Sequence, residues 1–465
     1  MVEIEAKPDE QVLATSKTTT PGATYTDAEL EQLTVHVFFD GTGNNRFNTA
    51  TYRENKDKAK EGSVSYENYY SNIALLFMAM QEFDDVKKLY IEGSGTTRDE
   101  EDDTAGLGFS KGKSGRTTRV ESALAQLEKI LEGVSKEKVI LNVYGFSRGA
   151  AWARHFCYLV KSEKYKDWNV CKINFVGIYD TVSSDGLAHY NDVKESGLDI
   201  GIAQEINYIA HITAQNDYRK HFPLTPIHAA LHDGIGFECS FPGAHSDIGG
   251  GYNERYPEKD RFLGYVEDGE AGVQGKLINT WFGLHMNHKE YIDFNWFIKK
   301  GYYRPNQIEY KPTLGQGTKI YATREVEYHY QFITCDAMYE IAKDKANYIR
   351  LNDTDFEEGF NEMKKNDYLS RFHEGALAYV KVAYPNKKGG HQVPLLPSEE
   401  DMQEIYNRYI HSSLTYDAID NRGTILSKTK KADGNLDYSN PKRPEVEKGY
   451  KYQETPIQNQ EGVST

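Results

Sequence analysis

A glycine-bounded turn around Ser147 constrains the fold of this chain more than any other sequence feature. The apolar run Val139–Tyr144 leads straight into Gly145-Phe146-Ser147-Arg148-Gly149, and the residues Ala150–Arg154 then favour a helix. Gly-x-Ser-x-Gly alone is often an ordinary glycine turn. Between a buried strand and a helix it is the pattern of a nucleophile elbow, in which the serine hydroxyl projects above a sheet. The turn therefore predicts a mostly parallel sheet with Ser147 as a nucleophile.

The sequence around this turn supports the same architecture. Between residues 31 and 260, short β-branched and aromatic runs alternate with helical patterns, as is typical of a parallel sheet flanked by helices. Val35–Phe39 and Lys88–Ile91 are predicted strands, and apolar spacing predicts helices over Tyr66–Phe83 and Thr117–Leu131. We therefore expect an α/β-hydrolase-like catalytic core over residues 31–260.

The rest of the chain is predicted to be helical or disordered. Residues 261–431 include helical patterns at Gln331–Ala346 and Ser398–His411, which we interpret as a helical cap or lid that completes the catalytic module. Residues 1–30 are polar and rich in Thr, Glu and Lys, whereas Lys, Asn, Pro and Glu dominate residues 432–465. Such compositions predict a disordered leader and a disordered tail.

Charge and hydropathy argue against several classes of function. The chain has 55 basic and 70 acidic residues and a formal net charge of −15, which disfavours nucleic acid as a partner and gives no bulk attraction to anionic lipid. It lacks the basic start of a signal peptide and any apolar run of about 18 residues. We therefore expect a protein made in the cytoplasm, without a signal peptide or transmembrane segment. The four cysteines follow no metal-binding spacing, so buried thiols are predicted and no metal or other cofactor is expected.

A serine nucleophile needs a histidine that accepts its proton and an acid that orients the histidine. Asp180 ends the next strand-like run, Ile173–Tyr179, and is the predicted acid, with a loop-capping role as the alternative. His245 is the predicted base, because the three consecutive glycines in Phe241–Tyr252 allow the backbone to fold closely around a site. His411 is the runner-up base, because a hydrolase histidine often lies late in the chain.

An oxyanion hole is predicted to combine the main-chain amide of Arg148 with an amide from the loop that follows the first strand. Gly41 and Thr42 supply the candidate amides of that loop, which lacks the lysine of a phosphate-binding P-loop. Asp40 and Asn44 in the same loop are candidates for binding the substrate.

Four motifs in order over residues 35–255 carry a family resemblance. They are Phe38–Asn44, Gly145–Ala151, Tyr179–Val182 and Pro242–Tyr252. Together they resemble the first family of type VI secretion lipase effectors, which have an α/β-hydrolase module and a Ser-Asp-His triad. The resemblance implies that Ser147, Asp180 and His245 are that triad. One segment departs from the family, since Asn216 stands where relatives tend to have an acid.

The resemblance implies an antibacterial phospholipase effector that hydrolyses acyl ester bonds of membrane glycerophospholipids without a cofactor. It further implies secretion by a type VI system into the target-cell periplasm, with a spike or tube protein and an immunity protein as partners. Arg148 would then meet a lipid phosphate, unless it only caps the turn or pairs with an Asp or Glu. Two alternatives stay open: a soluble carboxylesterase on small or polysaccharide esters, and a catalytically inactive scaffold of a secretion assembly. A triad within hydrogen-bond reach would argue against the scaffold.

Overall fold

A computed structural model of the protein describes residues 32–103, 106–107, 114–183, 205–219, 222–266, 294–313, 317–352, 354–386, 390–393, 398–413 and 443. The predicted leader, residues 1–30, lies outside the described residues. The same holds for the predicted tail, residues 432–465, except for Arg443.

Parallel strands form the centre of the fold. In chain order the strands are β1 (Leu33–Phe39), β2 (Val86–Ile91), β3 (Val139–Phe146), β4 (Lys172–Tyr179), β5 (Ile206–Ala214), β6 (Gly236–Phe241), β7 (Arg255–Val266), β8 (Ile308–Thr313), β9 (Gly317–Glu327) and β10 (Gly390–Gln392). Seven of them pair in parallel in the order β10-β6-β5-β4-β3-β1-β2. The predicted parallel sheet is thus confirmed, and the carboxyl ends of its strands meet at one edge.

Helices cover both faces of this sheet. In chain order the α-helices of the described ranges are α1 (Arg46–Glu54), α2 (Val64–Glu67), α3 (Asn72–Ala79), α4 (Arg116–Ile130), α5 (Arg148–Val160), α6 (His228–His232), α7 (His245–Gly249), α8 (Phe294–Lys300), α9 (Gln331–Ala346), α10 (Asp355–Lys364), α11 (Asp367–Ala383) and α12 (Glu399–Arg408). The predicted helix at 117–131 corresponds to α4, whereas the one at 66–83 is shorter and forms α3. None of the helices in the described ranges is long and apolar enough to cross a membrane.

The apolar side chains of each strand divide between two cores because successive residues point to opposite faces. Val37 and Phe39 of β1 pack with Trp152 of α5 on one face. Phe38 packs on the other face with Phe77 of α3, at a ring-centroid distance of 5.7 Å. The four cysteines are buried and unpaired, as their apolar surroundings predict.

The segment predicted as a helical cap contains strands as well as helices. The strands β7, β9 and β8 form a separate antiparallel sheet in this order. In β9 the buried residues Ala322 and Val326 alternate with exposed Thr323 and Glu325, which is the period of a strand. Helix α9 packs Met338 into the core of the main sheet, where it lies next to Gly177 of β4. This helix therefore belongs to the layer that covers one face of the main sheet.

Candidate active site

The turn after β3 holds Ser147 in a strained conformation. Its φ and ψ angles are 59° and −125°, in a region that residues with a side chain rarely adopt. A Cβ atom on Gly149 would lie 2.2 Å from the Asp40 carbonyl oxygen, and one on Gly145 would lie 2.6 Å from the Gly149 carbonyl oxygen. Both positions therefore require glycine, since β1 and the first turn of α5 pass too close for any other residue. This is the geometry of the predicted elbow.

Ser147, His245 and Asp180 form a continuous hydrogen-bonded chain. Ser147 Oγ lies 2.7 Å from His245 Nε2, and His245 Nδ1 lies 2.5 Å from Asp180 Oδ2. Each residue follows a strand of the parallel sheet: Ser147 follows β3, Asp180 follows β4, and His245 begins α7 just after β6. The side chains come together because these strands end at the same edge. Asp180 is fully buried, whereas Ser147 and His245 are 3 % and 4 % exposed.

Neighbouring segments fix the histidine from two sides. Its main-chain amide donates to Asp217 Oδ2 at 3.1 Å, and its ring packs on Phe146 with a centroid distance of 4.7 Å. A Cβ atom on Gly249 would approach the Phe146 ring to 2.0 Å. The glycine at this position in the predicted motif therefore makes room for the aromatic ring that supports His245.

The surrounding charges leave the histidine able to accept a proton. Burial lowers the pKa of His245, and its hydrogen bond to Asp180 opposes that effect only in part. Burial would raise the pKa of Asp180, but Arg443 and His245 outweigh it and hold this pKa well below its usual range. Burial likewise opposes a low pKa for Asp217, which Arg219 nevertheless lowers. At neutral pH the imidazole is therefore uncharged, with ionised Asp180 at its Nδ1 and ionised Asp217 at the main-chain amide of His245.

In the loop after β1, one of the two amides predicted for the oxyanion hole already donates a hydrogen bond within the loop. The Gly41 amide donates to Asp40 Oδ1 at 2.7 Å, whereas no acceptor for the Thr42 amide lies among the described residues. Arg148 Nε donates to Thr42 Oγ1 at 2.6 Å. The Arg148 guanidinium also donates to the carbonyl oxygens of Gly106, at 3.2 Å, and Leu107. The Arg148 side chain thus binds two loops of its own chain. These contacts do not support the predicted contact between Arg148 and a lipid phosphate.

The two predicted substrate contacts face inward. Asp40 is fully buried and accepts hydrogen bonds from Ser71 Oγ at 2.5 Å and from Tyr90 OH at 2.6 Å, besides the one from Gly41. Asn44 is 6 % exposed, and its Nδ2 donates to the Thr42 carbonyl oxygen at 3.3 Å. These contacts indicate that both side chains brace the loop.

His411 pairs with Asp247, whereas the nucleophile contacts His245. His411 Nδ1 is 2.7 Å from Asp247 Oδ1, its amide donates to Asp247 Oδ2, and its ring stacks on Tyr252 at 3.6 Å. These contacts favour His245 over His411 as the base.

Sequence reasoning assigned no role to four residues that border the triad. Asn216, Asp217 and Arg219 follow β5, and their position just past a strand end was a usable signal. Arg443 lies in the segment predicted as a tail, where a single arginine in a polar stretch gives no signal.

Known proteins show similarity to this chain in family and fold. Residues 159–264 match the model of a family described as T6SS, Phospholipase effector Tle1-like, catalytic domain. A search of curated proteins found no match.

Two solved structures resemble the chain. One is "Structure of the Tle1 effector bound to the VgrG spike from the Type 6 secretion system", with 21% identity and a TM-score of 0.54 over 83% of this chain and 85% of that chain. The other is "Crystal structure of an uncharacterized protein from Pseudomonas aeruginosa", with 17% identity and a TM-score of 0.42 over 81% of this chain and 53% of that chain. The family match and the fold shared with the first structure confirm the resemblance predicted from the motifs, to the Tle1-like phospholipase effectors of type VI secretion.

Proposed function

We propose that this protein is a phospholipase A-type serine hydrolase, which cleaves acyl ester bonds of membrane glycerophospholipids through an acyl-enzyme. The observation that carries the proposal is the continuous chain from Ser147 Oγ through His245 to Asp180, with distances of 2.7 Å and 2.5 Å. Similarity to a phospholipase effector family supports the lipid substrate.

In the first half of the reaction, Ser147 Oγ attacks the ester carbonyl carbon while His245 Nε2 takes the hydroxyl proton. The amides of Arg148 and Thr42 hold the negative oxygen of the tetrahedral intermediate. We assign Thr42 this role ahead of Gly41 because the Gly41 amide already donates to Asp40. When the intermediate collapses, the bond to the glycerol oxygen breaks and His245 gives its proton to that oxygen, which leaves an acyl ester on Ser147.

In the second half, water enters and loses a proton to His245 as it attacks the acyl carbon. The bond to Ser147 Oγ then breaks, the serine regains its proton from His245, and the fatty acid is released. Asp180 stays ionised throughout the cycle. Its negative charge stabilises the imidazolium, which forms twice in each cycle. These steps need no group beyond the protein, the lipid and water.

We further propose delivery of the protein by a type VI secretion system into the periplasm of a target cell. The similar effector structure is described as bound to a VgrG spike, which supports a spike protein as a partner. An immunity protein in the producing cell is proposed from the resemblance, because a phospholipase would also damage its maker.

The test is release of fatty acid from vesicles of phosphatidylethanolamine and phosphatidylglycerol by the purified protein. We expect Ser147→Ala to lose at least roughly 10³-fold of the rate. Ser162→Ala is the matched control, since this serine lies two residues beyond α5 and its hydroxyl donates to the Leu159 carbonyl oxygen. If only a soluble short-chain ester is cleaved, the carboxylesterase alternative replaces the lipase. Inactivity of the wild type on both substrates would favour the scaffold.

A further inference from the structure

Arg443 makes a two-pronged contact with the acid of the triad. Its Nη2 donates to Asp180 Oδ2 at 2.8 Å, and its Nη1 donates to Asp180 Oδ1 and, at 2.7 Å, to the Ala214 carbonyl oxygen. The side chain is only 7 % exposed. A guanidinium that spans both oxygens of a carboxylate fixes the plane of that carboxylate as well as its charge.

The contact completes the set of hydrogen bonds around Asp180. Oδ1 accepts from the Ala214 amide at 2.7 Å and from Arg443, while Oδ2 faces His245 Nδ1 and Arg443. Without Arg443 the carboxylate could rotate about its bond to Cβ, since a single main-chain amide and the imidazole would hold it. The direction in which His245 points toward Ser147 depends on that plane.

The same contact balances the charges close to His245. Asp180 from the end of β4 and Asp217 from the segment after β5 contribute two negative charges. Arg219 pairs with Asp217 at 2.6 Å, and Arg443 pairs with Asp180. With both guanidinium groups present, the four side chains sum to zero around a neutral ring. Removing Arg443 leaves a net negative charge beside His245, which favours the protonated ring.

We propose that Arg443 is a positioning residue of the hydrolase, which binds both carboxylate oxygens of Asp180 and through them orients His245. The proposal rests on the proposed function, since it assumes that Ser147, His245 and Asp180 act as a triad. It also assigns Arg443 itself to the catalytic unit, although the composition of residues 432–465 predicts a disordered tail.

The test is the rate at which a fluorophosphonate probe labels Ser147 of the full-length protein between pH 4.5 and 9. This readout needs the activated serine and no knowledge of the lipid substrate. In Arg443→Gln we expect the acidic limb of the rate profile to move up by about one pH unit, because the uncompensated Asp180 raises the His245 pKa. The rate on the plateau should fall roughly tenfold, because the carboxylate loses its fixed plane.

Two further variants keep the test decisive. Arg443→Lys retains the charge but not the two-pronged contact, so it should leave the acidic limb near its wild-type position and lower only the plateau. Arg371→Gln is the matched control, because Arg371 binds both oxygens of Asp401 at an exposed site, and it should change neither.

The possible failures are separable. A wild type that the probe does not label at Ser147 overturns the proposed function. Labelling with the wild-type profile in both Arg443 variants overturns the role of Arg443 and leaves the proposed function intact. If Arg443→Gln does not fold, the plateau rate of Arg443→Lys decides, and an unchanged rate counts against the proposal.

Discussion

Asn216 and Gly243 exchange two hydrogen bonds, each 2.9 Å long, from the amide of Asn216 to the Gly243 carbonyl oxygen and from the amide of Gly243 to Asn216 Oδ1. Gly243 lies two residues before His245, so this pair sets where α7 begins. Asn216 also accepts from Tyr406 OH at 3.0 Å and donates to Tyr218 OH at 2.7 Å. Asn216 therefore positions the loop that carries the proposed base.

The first prediction concerns this exchange. Asn216→Ala leaves the buried Gly243 amide without its side-chain acceptor, which costs about 1–3 kcal/mol in the free energy of unfolding. We expect a lower melting temperature and at least a roughly tenfold loss in kcat/KM on a short ester, because His245 shifts with its loop. The exposed Asn361→Ala is the control. A wild-type rate in Asn216→Ala would contradict the assigned role.

The second prediction concerns the contact between Gly249 and Phe146. In Gly249→Ala the new methyl group would overlap the Phe146 ring, which must then move against His245. We expect a loss of about 1–3 kcal/mol in stability, as for other overpacked cores, together with reduced labelling of Ser147.

Gly234→Ala is the control that separates the clash with Phe146 from the loss of stability caused by replacing a glycine. Gly234 has a φ of +71°, and nothing lies within 4 Å of the position of an added Cβ atom. The variant should therefore lose about 1 kcal/mol from backbone strain alone and keep its labelling rate. Equal labelling of the two variants would show that the Phe146 contact does not support the base.

The third prediction concerns the loop that presents the Thr42 amide. Thr42→Val removes the hydroxyl that accepts from Arg148 Nε and keeps nearly the same shape. We expect kcat to fall roughly 10- to 100-fold with little change in KM, because a displaced amide affects the transition state more than the bound substrate. Thr42→Ser retains the hydroxyl and should stay within a few-fold of the wild type. A loss confined to KM in Thr42→Val would place the residue in substrate binding instead.

The sequence permits prediction of the residues whose placement depends on local patterns and on the rules of parallel sheets. Ser147 stands in a motif whose glycines are required because a side chain at either position would clash with the backbone. Asp180 follows the next strand. His245 is harder to place, because its segment is recognisable only by its glycines. That one of them, Gly249, makes room for the Phe146 ring is visible only in three dimensions.

Long-range contacts escape such reasoning. Nothing in a polar stretch marks Arg443 as a partner of Asp180, which lies 263 residues earlier in the sequence. The acceptor of the Gly41 amide cannot be predicted from the sequence for a different reason, because it depends on the orientation of the Asp40 side chain. The β7–β9 sheet was missed because it lies within a segment whose helical patterns dominated the interpretation.

The fourth prediction concerns the effect of pH on stability through Asp40. Burial raises the pKa of Asp40 to about 6, although the Ser71, Tyr90 and Gly41 hydrogen bonds lower it. A carboxyl group with a raised pKa in the folded state binds its proton more tightly there than in the unfolded chain. Its contribution to stability is thus complete below the unfolded pKa of 3.8 and is lost as the pH rises through about 6.

Asp40→Asn should remove this dependence without disturbing the loop. Its amide oxygen can still accept from the Gly41 amide and from Ser71, and its nitrogen can donate to Tyr90 OH. We therefore expect the melting temperature of the variant to rise relative to that of the wild type between pH 4 and pH 7.5, measured by thermal unfolding in buffers of equal ionic strength. Asp57→Asn, at an exposed carboxylate, should show no such trend. If the difference for Asp40→Asn stayed constant or fell with pH, the buried carboxyl group would already be ionised at pH 4, and the loop would then hold a permanent charge beside the proposed oxyanion hole.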